Sequence, residues 1–237
     1  MNSIIHHAHQ RGHADHGWLN SYHSFSFANY FNPERMHFGV LRVLNDDTVA
    51  AGRGFDTHPH NNMEIFSIPL YGDLKHEDSE GNTEVIKQGD VQVMSAGTGI
   101  YHSEYNANSD KEVRFLQIWI FPKVKNVAPR YQQLHFKPEN RKNIFQQIIS
   151  PNPDDQGLWI HQDAWMFMSK LDMDKELQYE LKRPGLNGVY IFILEGEIQC
   201  KNQLLSKRDA IAISNVERLE LKSLQNSEIL LMEIPMH

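Results

Sequence analysis

The amino-acid sequence predicts an all-β protein built from barrels or sandwiches. Short runs rich in valine, isoleucine, leucine and aromatic residues recur along the chain, as is typical of strands. Clusters of turn-forming residues separate these runs, and helical periodicity is scarce. The predicted strands are residues 39–44, 65–70, 84–86, 91–94, 113–121, 189–194, 210–213 and 229–234. The predicted turns are residues 45–47, 71–73, 78–82 and 88–90.

One segment, residues 138–149, has a helical pattern. Ile144 and Ile148, and likewise Phe145 and Ile149, are four residues apart, which places each pair on one face of a helix. The loop-forming composition of residues 150–157 then divides the chain into a longer and a shorter part. Similar strand–turn–strand patterns occur at residues 70–90 and 194–210, which predicts a degenerate internal duplication.

Composition and charge narrow the function classes. The 237 residues carry a formal net charge of −7 and no basic stripe, which argues against direct nucleic-acid binding. The sequence has no run of about 18 apolar residues, the length that a membrane-spanning helix needs. The polar N-terminus has no apolar signal-peptide core, and we therefore expect a cytoplasmic protein. The single cysteine, Cys200, excludes an intrachain disulfide and a thiolate metal cluster. We expect Cys200 to be a buried apolar residue.

Two short motifs predict a metal site. His58 and His60 flank Pro59, and His102 and Glu104 flank Ser103. Residues two apart on a strand point to the same face, roughly 7 Å apart, so each pair can converge on one ion. Together they supply three imidazoles and one carboxylate, a set that suits Fe(II) and related ions. Gly97 and Gly99 allow a sharp turn before the second pair.

Other residues near these motifs leave alternatives open. Glu64 is a rival carboxylate, either as a ligand or as an acceptor that orients an imidazole. Five histidines crowd the N-terminus, where we expect them at the surface, and His76 near a predicted hairpin is expected to be exposed. The aromatic residues that could line a cavity beside the metal, or else form ordinary core, are Phe55, Phe66, Phe115 and Trp119.

The motifs resemble those of a known family. Gly52, His58, His60 and Glu64 are similar to the first cupin motif, and Gly89, Gly97, His102 and Asn106 to the second. More narrowly, the chain resembles the pirin family and its bacterial quercetinase-like branch. The segments that carry this resemblance are residues 17–19, 23–27, 38–43, 58–60, 78–82 and 94–104.

The resemblance implies a bicupin, with two stacked antiparallel β-barrels of jelly-roll type and a few short helices. The expected N-terminal barrel, residues 1–135, holds the metal, and the C-terminal barrel, residues 136–237, is degenerate and metal-free. The resemblance also implies that one divalent transition metal, usually iron, is bound by His58, His60, His102 and Glu104. The spacing of these residues alone is equally compatible with manganese, nickel, copper or zinc.

The activity implied by the resemblance is a quercetin 2,3-dioxygenase-like oxidoreductase that cleaves flavonols with dioxygen and releases carbon monoxide. Glu104 is the candidate acceptor of the flavonol's hydroxyl proton. The alternative is a non-enzymatic metal or redox sensor that regulates a protein partner. An open pocket beside the metal would favour the enzyme, and a filled one the sensor. A cupin-type sugar-phosphate isomerase has little support, since Arg53 and Arg114 are the only candidate phosphate contacts near the motifs.

Overall fold

A computed structural model describes residues 2–237, which form 22 strands and two short 3₁₀ helices. The strands of the first half are β1 (Asn2–His6), β2 (Gly12–Asp15), β3 (Leu19–His23), β4 (Leu41–Val49), β5 (Gly54–His60), β6 (Glu64–Tyr71), β7 (Leu74–Asp78), β8 (Thr83–Ile86), β9 (Asp90–Ser95), β10 (Ile100–Asn106), β11 (Val113–Ile120) and β12 (Arg130–His135). The strands of the second half are β13 (Gln146–Ser150), β14 (Leu158–Trp159), β15 (Trp165–Leu171), β16 (Glu176–Glu180), β17 (Asn187–Glu195), β18 (Glu197–Cys200), β19 (Gln203–Ser206), β20 (Ala210–Ser214), β21 (Arg218–Ser223) and β22 (Ser227–Pro235). The 3₁₀ helices are Ala8–Gln10 and Pro138–Arg141, and neither these nor any other described segment is a helix that could span a membrane.

The strands form two barrels, each made of a seven-stranded and a four-stranded sheet. In the first barrel the orders are β12-β9-β6-β11-β4-β3-β2 and β5-β10-β7-β8. In the second they are β1-β20-β17-β22-β15-β13-β14 and β16-β21-β18-β19. The two barrels repeat the same strand order over most of their strands, and each repeated strand of the first barrel is equivalent to the strand eleven places later in the chain. Thus β9-β6-β11-β4 corresponds to β20-β17-β22-β15, and β5-β10-β7-β8 corresponds to β16-β21-β18-β19. The predicted internal duplication is therefore confirmed at the level of topology.

The N-terminal strand departs from the predicted division of the chain at residue 135. β1 pairs antiparallel with β20 of the second barrel, with His6 opposite Ala210. The ring of His6 is buried there, 3.0 Å from the hydroxyl oxygen of Tyr190. Residues 2–10 thus tie the C-terminal barrel to the strands that follow them.

The apolar core differs between the two barrels. The largest buried cluster joins residues of both halves, such as Phe66 and Leu116 with Phe192 and Met232, where the barrels stack. A second cluster of 17 buried residues, with Cys200 among them, fills the interior of the second barrel. The interior of the first barrel holds two smaller apolar clusters beside buried polar side chains. The packing therefore leaves room for a site in the first barrel.

Two sequence-based predictions of local structure were wrong. Residues 138–149 form a 3₁₀ helix followed by β13, because Asn143 adopts a positive φ of 56° and donates its amide to the carbonyl of Lys170 at 2.7 Å. Residues 45–47 are not a turn but the middle of β4. Their polar side chains are accommodated because Asn45 and Asp47 face the interior of the first barrel, whereas Asp46 faces Arg208 at 2.8 Å.

Candidate metal centre

Strands β5 and β10 bring the two predicted histidine motifs together. In their antiparallel register His58 lies opposite His102, and His60 lies opposite Ile100. Ring nitrogens of His58, His60 and His102 all lie within 4.8 Å of one another. Strand β5 is at the edge of its sheet, where Pro59, which has no amide hydrogen, does not interrupt a hydrogen-bond ladder. The convergence of these three imidazoles is suited to holding one cation.

The histidine rings have nitrogen atoms available for such an ion. His58 donates Nδ1–H to the carbonyl of Asp56 at 2.7 Å, so its Nε2 carries a free lone pair. Among the described residues, Nε2 of His60 and both ring nitrogens of His102 are buried without a hydrogen-bond partner. Unpartnered buried nitrogens are costly unless a ligand satisfies them. The donor set therefore fits a transition-metal ion.

Burial keeps the rings of His60 and His102 uncharged. Burial, reinforced by the neighbouring histidines, lowers the pKa of His60 to about 3 and that of His102 to about 3. Neutral imidazole is the form that binds metals. These two rings can therefore accept a cation near neutral pH without first releasing protons.

Glu104 lies on the same buried face of β10 as His102. Its carboxylate accepts a hydrogen bond from the hydroxyl of Ser67 at 2.6 Å and one from the side-chain amide of Gln117 at 3.2 Å. Its negative charge also acts on His60, where it opposes the decrease in pKa. Two fixed donors orient the carboxylate, but its oxygens do not belong to the group of ligand atoms that lie within 4.8 Å of one another. The ligand role of Glu104 therefore stays a prediction.

The rival carboxylate, Glu64, faces away from the histidines. It is buried and accepts a hydrogen bond from the hydroxyl of Ser95 at 2.7 Å. Its charge interacts with Arg130 and it accepts a backbone hydrogen bond from His161, which places it toward the second barrel. Burial raises its pKa to about 7.

His76 is wholly buried, contrary to our prediction that it is exposed. It lies on β7, next to β10, and its Nε2 is 2.9 Å from the carboxylate of Asp78. Its ring packs 5.3 Å from that of His102, centroid to centroid. The prediction failed because a hairpin strand that pairs with β10 turns this side chain into the barrel.

A cavity of about 450 Å³ opens beside His58. Its lining is mostly apolar, and it includes two of the four predicted aromatic residues, Phe55 and Trp119. The other two, Phe66 and Phe115, belong to the apolar core. The complete lining is Ala14, His16, Trp18, Leu19, Ser21, His23, Phe27, Ala28, Asn45, Asp47, Phe55, His58, Gln117 and Trp119.

One wall of this cavity is polar, and our sequence reasoning missed it. Ser21 and His23 of β3 face Asp47 and Asn45 of β4, their register partners. The ring Nδ1 of His23 is 2.9 Å from the side-chain oxygen of Asn45, and the hydroxyl of Ser21 donates to Asp47. Burial raises the pKa of Asp47 to about 7. The available signal was the alternation of Val43, Asn45, Asp47 and Val49, but three successive polar residues also resemble a turn.

The N-terminal histidines do not form a metal cluster among the described residues. His6 is buried between the barrels' strands, contrary to the prediction of a surface position. His7 is half-buried, and His9, His13 and His16 are exposed. Cys200 is buried as predicted, and burial raises the pKa of its thiol to about 11.

Comparison with known sequences covers both barrels. Residues 5–120 match the family model described as Pirin, and residues 147–234 match the one described as Quercetinase C-terminal cupin domain. The chain is 40% identical over 228 residues to a quercetin 2,3-dioxygenase of Escherichia coli (strain K12), with 96% of both chains covered. It is 37% identical over 223 residues to a pirin-like protein of Caulobacter vibrioides, with 94% of this chain and 95% of that one covered.

Solved structures show the same architecture. The crystal structure of YhhW from Escherichia coli matches with a TM-score of 0.94 at 39% identity, over 99% of this chain and 98% of that one. A crystal structure described as bacterial pirin YhhW in complex with nickel(II), also from Escherichia coli, matches with a TM-score of 0.93 at 39% identity and 99% coverage of both chains.

Proposed function

This chain belongs to the pirin family of bicupin proteins, and from that premise we propose that it is a metal-dependent, quercetin 2,3-dioxygenase-like oxidoreductase that cleaves a flavonol with dioxygen. One observation carries the proposal: the cluster of His58, His60 and His102 adjoins a largely apolar cavity of about 450 Å³. That volume lies in the range of pockets that bind small organic molecules. The relatives that bear the name of this activity support the same assignment.

We assign the metal to His58, His60 and His102, with Glu104 as the fourth ligand and Fe(II) as the ion. Three imidazoles and a carboxylate suit Fe(II), although manganese, nickel, copper and zinc accept similar donors. When bound, such an ion lowers the pKa of an adjacent hydroxyl and, if redox-active, assists electron flow from substrate to dioxygen.

The protein's own groups then orient the substrate and take up its proton. The aromatic rings of Trp18, Phe55 and Trp119 line the cavity and provide apolar surface for a planar molecule. Glu104 is the proposed acceptor of the proton from the flavonol's reacting hydroxyl. Ser67 and Gln117 hold the Glu104 carboxylate in place, so it needs little reorganisation to accept that proton.

The open cavity also favours an enzyme over the alternative, a sensor that acts only through a protein partner. A site that served only to report the state of a metal would need no space for a molecule beside it. We therefore place flavonol and dioxygen, rather than a regulatory protein, as the primary partners.

Metal analysis and turnover test this proposal together. We expect about one metal ion per chain in the wild type and loss of that metal in His58→Ala and His102→Ala, since each removes a ligand. His9→Ala, an exposed histidine in a 3₁₀ turn, is the control and should keep its metal. With quercetin and dioxygen, the metal-loaded wild type should release carbon monoxide. Full metal loading without consumption of any flavonol would contradict the proposed activity.

A further inference from the structure

The polar wall of the cavity has unmatched hydrogen-bonding capacity. Asn45 and Asp47 point to the same side of β4, two residues apart, and both line the cavity. The register continues this wall toward the metal centre, because Gln117, which donates to Glu104, lies opposite Asn45 on β11. The wall is thus a continuation of the candidate metal centre.

Asn45 supplies a hydrogen-bond donor without an acceptor. Its residue surface is 1% exposed, and its side-chain oxygen is engaged by His23 at 2.9 Å. Its amide nitrogen is buried and has no partner among the described residues. A buried donor of this kind costs free energy unless something in the cavity accepts from it.

Asp47 supplies an acceptor with spare capacity. It is 2% exposed, and within the described part of the chain Ser21 is the one hydrogen-bond donor to its carboxylate. No cation pairs with it among those residues, and the nearby charges are those of Asp46 and Glu104, which are negative. A carboxylate has about four acceptor positions, so a further donor from a ligand would stabilise it.

A hydroxyl group satisfies both residues, because it donates one hydrogen bond and accepts others. The surrounding aromatic side chains, Trp18, Phe55 and Trp119, favour a planar, unsaturated carrier for that hydroxyl. We propose that Asn45 and Asp47 form a specificity site for a phenolic hydroxyl of the substrate, distinct from the hydroxyl that reacts at the metal centre.

This inference rests on the proposed function and refines its substrate class. The substrate would be a planar aromatic compound with at least two hydroxyls, one beside His58 and Glu104 and another against β4. Compounds that carry the reacting hydroxyl alone would leave the buried polar groups of Asn45 and Asp47 without a partner on the ligand. Sites built to bind a hydroxyl discriminate strongly against analogues that lack it, for this reason.

The test measures binding to metal-free protein, so that the metal contributes nothing. Quercetin is compared with 3-hydroxyflavone, which keeps the reacting hydroxyl and lacks the others. Quenching of tryptophan fluorescence reports binding, because Trp18 and Trp119 line the cavity. For the wild type we expect quercetin to bind about tenfold more tightly or better.

Variants test whether the polar wall causes the tighter binding of quercetin. Asp47→Asn should reduce the preference for quercetin to within about threefold, while affinity for 3-hydroxyflavone stays unchanged. Glu64→Gln is the matched control, since Glu64 is an equally buried carboxyl outside the cavity lining, and it should keep the full preference.

Equal affinity of the wild type for the two compounds would overturn the inference, and so would a full preference in Asp47→Asn or no binding of quercetin at all. The comparison of the two compounds uses the wild type alone, so it tests the inference even if Asp47→Asn does not fold. Failure of the proposed function has a different signature: the binding preference persists in metal-free protein, but metal-loaded protein consumes neither compound.

Discussion

At the scale of single residues, burial raises the pKa of two carboxyl groups in the first barrel. Asp47 accepts a hydrogen bond from the hydroxyl of Ser21, and Glu64 accepts hydrogen bonds from the hydroxyl of Ser95 and the backbone amide of His161. Burial raises the pKa of both Asp47 and Glu64 to about 7, because these contacts offset only part of the cost of burying the charge.

Glu64 therefore makes stability depend on pH. A glutamate that titrates near 4.5 when unfolded and near 7 when folded binds protons preferentially in the folded state between these values. The free energy of unfolding then falls as pH rises through that window. We expect Glu64→Gln to be more stable than the wild type at pH 8, by up to about 3 kcal/mol, and this gain to disappear near pH 4.5. Urea unfolding at both pH values measures the difference; an equal difference at both would refute this account.

At the scale of elements, the turn that precedes β10 positions His102 and Glu104. Gly97 has a φ of 47°, and a Cβ atom there would lie 2.0 Å from the carbonyl oxygen of Val127. The amide of Thr98 donates to that same oxygen at 2.9 Å. The glycine predicted to allow a sharp turn is thus required both by its backbone conformation and by close approach to another segment.

Gly97→Ala should disturb both the fold and the site. Left-handed strain and the clash with Val127 together should lower the free energy of unfolding by about 2–4 kcal/mol, and metal content should fall as β10 shifts. Gly81→Ala is the matched control, since Gly81 has a φ of 91° with open space around it and carries only the backbone strain, about 1 kcal/mol. Thermal unfolding and metal analysis of both variants provide the comparison, and equal losses would contradict the role of the Val127 contact.

At the scale of the whole molecule, the two barrels share their largest apolar cluster, and the N-terminal strand joins the sheet of the second barrel. The largest buried cluster draws side chains from both halves, and β1 pairs with β20 across the chain. Since neither barrel keeps this apolar face covered by itself, the barrels should unfold as one cooperative unit.

Calorimetry of the wild type and Phe192→Ala tests this cooperativity. Phe192 is fully buried in the shared cluster, and its truncation should cost about 3–5 kcal/mol. We expect one transition in each protein, with equal calorimetric and van't Hoff enthalpies. Two separate transitions, with only the second barrel weakened, would show that the barrels unfold independently.

The amino-acid sequence alone determined the features that depend on local pattern. Short apolar runs separated by turn-forming residues predicted the all-β fold, and most predicted strands agree with observed ones to within a few residues. The two motifs with residues two apart predicted the histidine cluster of His58, His60 and His102, because a strand places such residues on one face whatever surrounds it. The burial of Cys200, predicted because a lone cysteine behaves as a small apolar residue, is confirmed.

Only the tertiary structure decided the features that depend on which strands pair. The pairing of β3, β4 and β11 converts an apparent turn into the polar wall of Asn45 and Asp47. Pairing of β7 with β10 buries His76, and pairing of β1 with β20 carries the N-terminus into the second barrel. The direction of Glu64, away from the histidines, likewise depends on where the second barrel stacks. Strand partners lie far apart in sequence, so local composition carries no record of them, and a register shift of one residue would turn each of these side chains to the opposite face.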